Sequence, residues 1–135
     1  MYDLFVCGVT TASDQKNAIL IGKTLLKLPK KVREKVLDAV CFIITGDAEG
    51  TVFKFHLPVE KTFSFILLNF TLMKEKIEDE KMRTVAHEIA HFILGHGIDS
   101  KGGKKAEKTA DDLIEKWGFK RAYQSYGRFA TVKKE

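Results

Sequence analysis

Thr84-Val85-Ala86-His87-Glu88-Ile89-Ala90-His91-Phe92-Ile93-Leu94-Gly95 is the stretch on which the fold of this chain turns. Its apolar residues recur at helical spacing. Glu78 or Asp79 suits the positive end of a helix that begins there, and Gly95 or Gly97 can end it. On that helix His87 and His91, four positions apart, project from one face, so two imidazoles reach a common point. Two ring groups and the Glu88 carboxylate inside an apolar helical stretch cost stability unless something satisfies them, and a metal ion does so.

Zinc accepts imidazole nitrogen at about 2.0–2.1 Å and prefers four partners, so a catalytic site needs a third protein ligand and keeps one position for water. Glu88, beside His87, is placed to take a proton from that water. For the third ligand the chain offers Glu107, Asp111, His96 and His56. Glu107-Lys108-Thr109-Ala110-Asp111 puts two carboxylates on one helical face with Ala110, Ile114 and Trp117, the face that should pack inward. Glu107 is therefore the expected ligand, with Asp111 accepting a hydrogen bond from the far nitrogen of a ligand histidine. The bland alternative for both acids is a solvated helix start favoured by the helix dipole. His96 should fall past the helix end in a capping or surface role. His56, alternating with phenylalanines, reads as an outward residue of a strand.

Around this centre, residues 4–9 read as a first strand and 10–14 as a loop and helix cap, while the segment after them is ambiguous. From Pro29, the positions Val32, Val36, Leu37, Val40 and Ile43 predict a helix along the back of a sheet. Residues 45–50 have the composition of a turn. Residues 51–57 and 62–70 predict two strands joined by 58–61, the second taken as an edge strand that pairs with an extended peptide. A glycine-rich connection at 100–104 leads to a last helix over 106–117. The basic, aromatic segment 119–135 has no assignable structure; its place suggests a self-inhibitory cover for the cleft.

These motifs resemble the gluzincin metallopeptidases, which pair HExxH on one helix with a glutamate ligand, often within ExxxD, on the next. The match is residue for residue at His87, Glu88, His91, Glu107 and Asp111. Ile66-Leu67-Leu68-Asn69 ahead of Thr84 to His91 looks like the ImmA/IrrE family, and His91 to His96-Gly97 also looks like HtpX-type peptidases. The resemblance covers residues 66–117. The link from His91 to Glu107 is shorter than usual in such families, and no helix-turn-helix or membrane span accompanies it. It implies an α+β, zincin-like fold: a small mixed or antiparallel sheet with a backing helix, an HExxH helix and a C-terminal helix carrying the glutamate ligand. It also implies peptide-bond hydrolysis with Zn2+ as cofactor and a peptide or protein as substrate. Tyr123, Tyr126 and His96 are the candidates for stabilising the oxyanion.

The remaining composition limits the alternatives. At 135 residues the chain is expected to form a single domain, and 44% hydrophobic with 30% charged residues is the balance of a globular protein. No basic leader precedes an apolar run, and no run reaches the roughly 18 residues of a membrane span, which points to the cytoplasm. Cys7 and Cys41 lack CxxC spacing and read as free buried thiols. The net charge of +5 is spread along the chain, apart from Lys101, Lys104, Lys105 and Lys108, and no stacking-aromatic or helix-turn-helix pattern accompanies it. A basic nucleic-acid-binding domain is thus the weaker rival, behind a zinc-binding interaction module without turnover. Oligomeric state is not encoded in any pattern found.

Overall fold

The computed structural model describes residues 5–9, 12–44, 50–56, 62–96 and 103–119. The element order is β1 (Phe5–Cys7), α1 (Ala12–Lys27), α2 (Lys30–Ala39), β2 (Val40–Ile44), β3 (Gly50–His56), β4 (Thr62–Leu68), α3 (Glu78–Ile93) and α4 (Gly103–Lys116). The strands form one mixed sheet in the order β1-β2-β4-β3. β1, β2 and β4 run parallel, and β3 is antiparallel to β4. This is a mixed α/β architecture.

Alternation along the strands decides which face of the sheet carries the core. Val40 and Phe42 of β2, and Ser64, Ile66 and Leu68 of β4, are buried, whereas Cys41, Ile43, Phe65 and Leu67 between them are half-buried. The buried set packs with Leu20, Ile21 and Leu25 of α1, Val36 of α2, and Met82, Val85, Ile89 and Phe92 of α3. Three helices, rather than the single backing helix expected, therefore contribute to this core. After β4, Asn69 turns the chain: its side-chain oxygen accepts the Leu72 N–H at 3.2 Å, an Asx-type turn that leads toward α3.

Several boundaries differ from the sequence reading. The ambiguous segment after the first loop is α1. The helix expected to run from Pro29 to Ile43 stops at Ala39, and Val40 (φ −122°, ψ 135°) opens β2. The spacing 32, 36, 40, 43 satisfies a helix, but the run Val40-Cys41-Phe42-Ile43-Ile44 is apolar and rich in β-branched residues, as an interior parallel strand requires. β4 ends at Leu68, with Phe70 in the following turn, and it is not an edge strand, since β2 and β3 flank it. The outer described strands are β1 and β3. α4 begins three residues early, at Gly103. No described helix is long and apolar enough to cross a membrane. Of the expected turn at 45–50, Gly50 opens β3 and 45–49 lie outside the described residues, as do the connection 58–61, the segment from 120 onward and the side chains of β3, His56 included.

Candidate metal centre

α3 and α4 meet through three alanines and one isoleucine. Ala86 and Ala90 on α3 pack with Ala110 and Ile114 on α4, and Ala106 is buried as well. Methyl groups at the contact allow close approach of the two backbones. A glutamate on one helix can then reach ring nitrogens on the other. Each alanine of α3 immediately precedes a histidine, and Ala106 and Ala110 flank Glu107, so the packing face and the polar cluster share an edge.

His87 Nε2 lies 2.6 Å from Glu107 Oε2, His91 Nε2 lies 3.1 Å from His87 Nε2, and His91 Nε2 lies 3.4 Å from Glu107 Oε2. Among the described residues this trio forms a group able to hold a metal ion. Two ligand atoms each about 2.05 Å from a tetrahedral ion stand about 3.3 Å apart. The two separations from His91, 3.1 and 3.4 Å, lie near that value, whereas the 2.6 Å contact of His87 with Glu107 is a hydrogen bond that must open for an ion to enter. The histidine side chains are 14% and 12% exposed and Glu107 is 61% exposed, which leaves the solvent-facing side of the trio to the carboxylate.

The electrostatics match three lone pairs directed at one point. Burial alone would lower the His87 pKa, but the close approach of Asp111, the hydrogen bond to Glu107, and the charges of Glu88 and Glu107 outweigh it and raise it from 6.5 to about 9. Hydrogen bonds from His87 and His91 hold Glu107 well below the usual carboxylate range, against its own partial burial.

Each imidazole is held from behind. His87 Nδ1 lies 2.9 Å from Asp111 Oδ1, close enough for a charge contact, although the angle leaves that nitrogen without a well-aligned hydrogen bond. The same Asp111 oxygen accepts from Arg83 NH2 at 2.9 Å. Arg83 is 5% exposed and sits one turn before His87 on α3. Sequence reasoning missed it; the available signal was a cation four residues before His87, on the face that must meet an acid of the next helix.

His91 is backed differently. Gly95 has φ +81° and ends α3, its N–H bonded to Phe92 O, while the His96 N–H reaches back to His91 O at 2.9 Å. This is the Schellman arrangement, which glycine permits in the left-handed region. It folds His96 onto His91, and the two Nδ1 atoms lie 3.0 Å apart. His96 thus lies past the end of α3, as expected, where its N–H caps the helix, and it stands across the His91 ring from the point where the three atoms converge. If Nε2 of each histidine faces a metal, Nδ1–H of His91 donates to His96 and Nδ1–H of His87 lies beside the Asp111 carboxylate, which favours both tautomers.

Glu88 follows His87, half-buried, and its charge is felt by that imidazole. Tyr123 and Tyr126 lie outside the described residues. A separate cavity of about 670 Å³, lined by Gly8, Ile44 and Phe70 near the carboxyl ends of β1, β2 and β4 and by Lys16, Lys74 and Lys81, contains none of the trio. Comparison of the chain with protein-family models, curated proteins and solved structures finds no match.

Proposed function

We propose that this chain is a zinc-dependent metallopeptidase of the gluzincin type on a zincin-like fold. The observation that carries this reading is the convergence of His87 Nε2, His91 Nε2 and Glu107 Oε2 from two helices, with both separations from His91 near the edge of a tetrahedral site. Two imidazole nitrogens and one carboxylate oxygen favour zinc over magnesium or calcium, which take oxygen ligands. Zinc, when bound, supplies a Lewis acid that polarises a peptide carbonyl and acidifies water.

The chain's own groups do the rest. Glu88 accepts the proton of the attacking water and delivers it to the leaving amine. Asp111 and His96 keep His87 and His91 in the tautomers that leave Nε2 a lone pair. Arg83 donates to the Asp111 carboxylate at 2.9 Å and holds it in place for that task. β3, the outer described strand beside α3, offers main-chain groups to an extended peptide, a role first expected of β4.

Substituting Glu88 by Gln tests the assignment. An unfolded protein substrate should be cleaved by the zinc-loaded chain, and the E88Q variant should lose at least about a hundredfold in rate while keeping its zinc. Equal cleavage by both proteins would remove Glu88 from the mechanism. Zinc binding with no cleavage by either would leave a metal-binding interaction module.

A further inference from the structure

Cys7 and Cys41 are 34 positions apart in sequence, yet their Sγ atoms lie 3.6 Å apart. The parallel pairing of β1 with β2 brings them together: Cys7 is level with Ile43, and Cys41 with Phe5. Residues two apart on a strand share a face, so the thiols are diagonal neighbours on one side of the sheet. It is the side away from the helices, since Val40 and Phe42 point into the core and Cys41 does not. Both thiols are free; Cys7 is exposed and Cys41 half-buried, rather than both buried as the sequence suggested.

We propose that Cys7 and Cys41 form a site of reversible oxidative modification, closing to an intramolecular disulfide with a small-molecule disulfide such as oxidised glutathione as the oxidant. In the first step the Cys7 thiolate attacks one sulfur of oxidised glutathione. The glutathione S–S bond breaks, and one glutathione leaves as a thiolate that takes up a proton in place of the one Cys7 lost. In the second step Cys41 gives up its proton and attacks Cys7 Sγ; the mixed disulfide breaks and the second glutathione leaves as a thiol. Two cysteines are oxidised and one glutathione disulfide is reduced to two thiols.

The order follows from accessibility. The oxidant meets exposed Cys7 first, whereas burial and the neighbouring Cys7 push the Cys41 thiol up to about 11. Once Cys7 carries glutathione, Cys41 has its target at 3.6 Å and needs no encounter with solvent. Bond formation brings the sulfurs to about 2.05 Å. Because the cysteines are offset by two positions, closure must draw β1 along β2. β1 has 3 residues and lies at the edge of the sheet, so the shift disturbs only a short ladder. A bond closed against such a ladder is readily reopened by excess thiol. Gly8 follows Cys7 directly and lines the cavity at the strand ends, so oxidation also moves that rim.

The test incubates the full chain with oxidised glutathione, blocks remaining thiols, and reads intact mass and cysteine-containing peptides. The wild-type chain should become lighter by two hydrogens, yield a linked Cys7–Cys41 peptide pair, and revert in excess thiol. C41S should retain one glutathione on Cys7, and C7S should react at least about tenfold more slowly. A wild-type chain that stays reduced, accumulates glutathione without closing, or links to a second chain would overturn the proposal. The wild-type result decides the matter even if a serine variant fails to fold.

Discussion

Replacing Asp111 by alanine removes a carboxylate that faces both Arg83 and His87. The Arg83 side chain is 6% exposed and Asp111 is 23% exposed, so the pair is largely withdrawn from water. Removing one partner of a buried ion pair costs about 3–5 kcal/mol, because the remaining charge is left uncompensated. The partial exposure of Asp111 lets water reach the vacated position and puts the expected loss near the lower end, about 3 kcal/mol. With an unfolding entropy of about 2.1 cal/mol/K per residue, a chain of 135 residues melts about 10 °C lower for that loss. In the proposed centre Asp111 stands behind the ligand His87, so its loss should also weaken zinc binding by about 10–100-fold. Thermal denaturation of the metal-free variant and competition for zinc with a coloured chelator measure the two effects. D111N, which keeps an oxygen acceptor but not the charge, should fall between wild type and D111A. The reasoning is refuted if D111A melts within about 2 °C of wild type and holds zinc within about twofold.

Other consequences follow from the same geometry. In the metal-free protein the His87 contribution to stability is fully present below its ordinary value of 6.5 and is lost as pH rises through about 9. The Glu107 contribution is present above its ordinary 4.5 and is lost as pH falls. Denaturant midpoints of the metal-free chain should therefore decline from pH 6.5 toward pH 9, and an H87N variant should flatten that decline. In the proposed centre zinc displaces the His87 proton, so calorimetry at pH 7 in buffers of different ionisation enthalpy should find about one proton released per ion; release near zero would contradict the assignment. Gly8 has φ +86°, and a Cβ there would lie 2.4 Å from Ile44 O, so G8A should cost more than about 2 kcal/mol in urea denaturation. Gly22, within α1, has open space around its Cα, and G22A should stabilise by about 0.5–1 kcal/mol; a loss there would contradict the helix assignment.

The legible part of this chain was the part governed by local periodicity. The helix bearing His87 and His91 shows its apolar spacing, its acidic first turn and its terminal glycine within one stretch, and α3 spans Glu78–Ile93 accordingly. Glu107 and Asp111 were legible because a four-residue spacing places them on one face wherever the helix starts. The junction of α2 and β2 was not, because Val36, Val40 and Ile43 satisfy a helical stripe while Val40 to Ile44 also satisfies a buried strand. The place of β4 in the interior is a matter of long-range pairing, with β2 on one side and β3 on the other, which no local pattern encodes. Arg83 escaped for a related reason: a buried arginine differs from a solvated one only through its partner, Asp111, which lies 28 positions away. The meeting of Cys7 and Cys41 likewise depends on the parallel register of two strands separated by two helices.

The most direct measurement is the zinc content of the purified chain beside an E107A variant, before and after reconstitution. The proposed centre predicts about one zinc per wild-type chain and a marked loss in E107A, because Glu107 supplies the third ligand atom beside His87 and His91. A wild-type chain that takes up no zinc even on reconstitution would contradict the metal centre and the peptidase built on it.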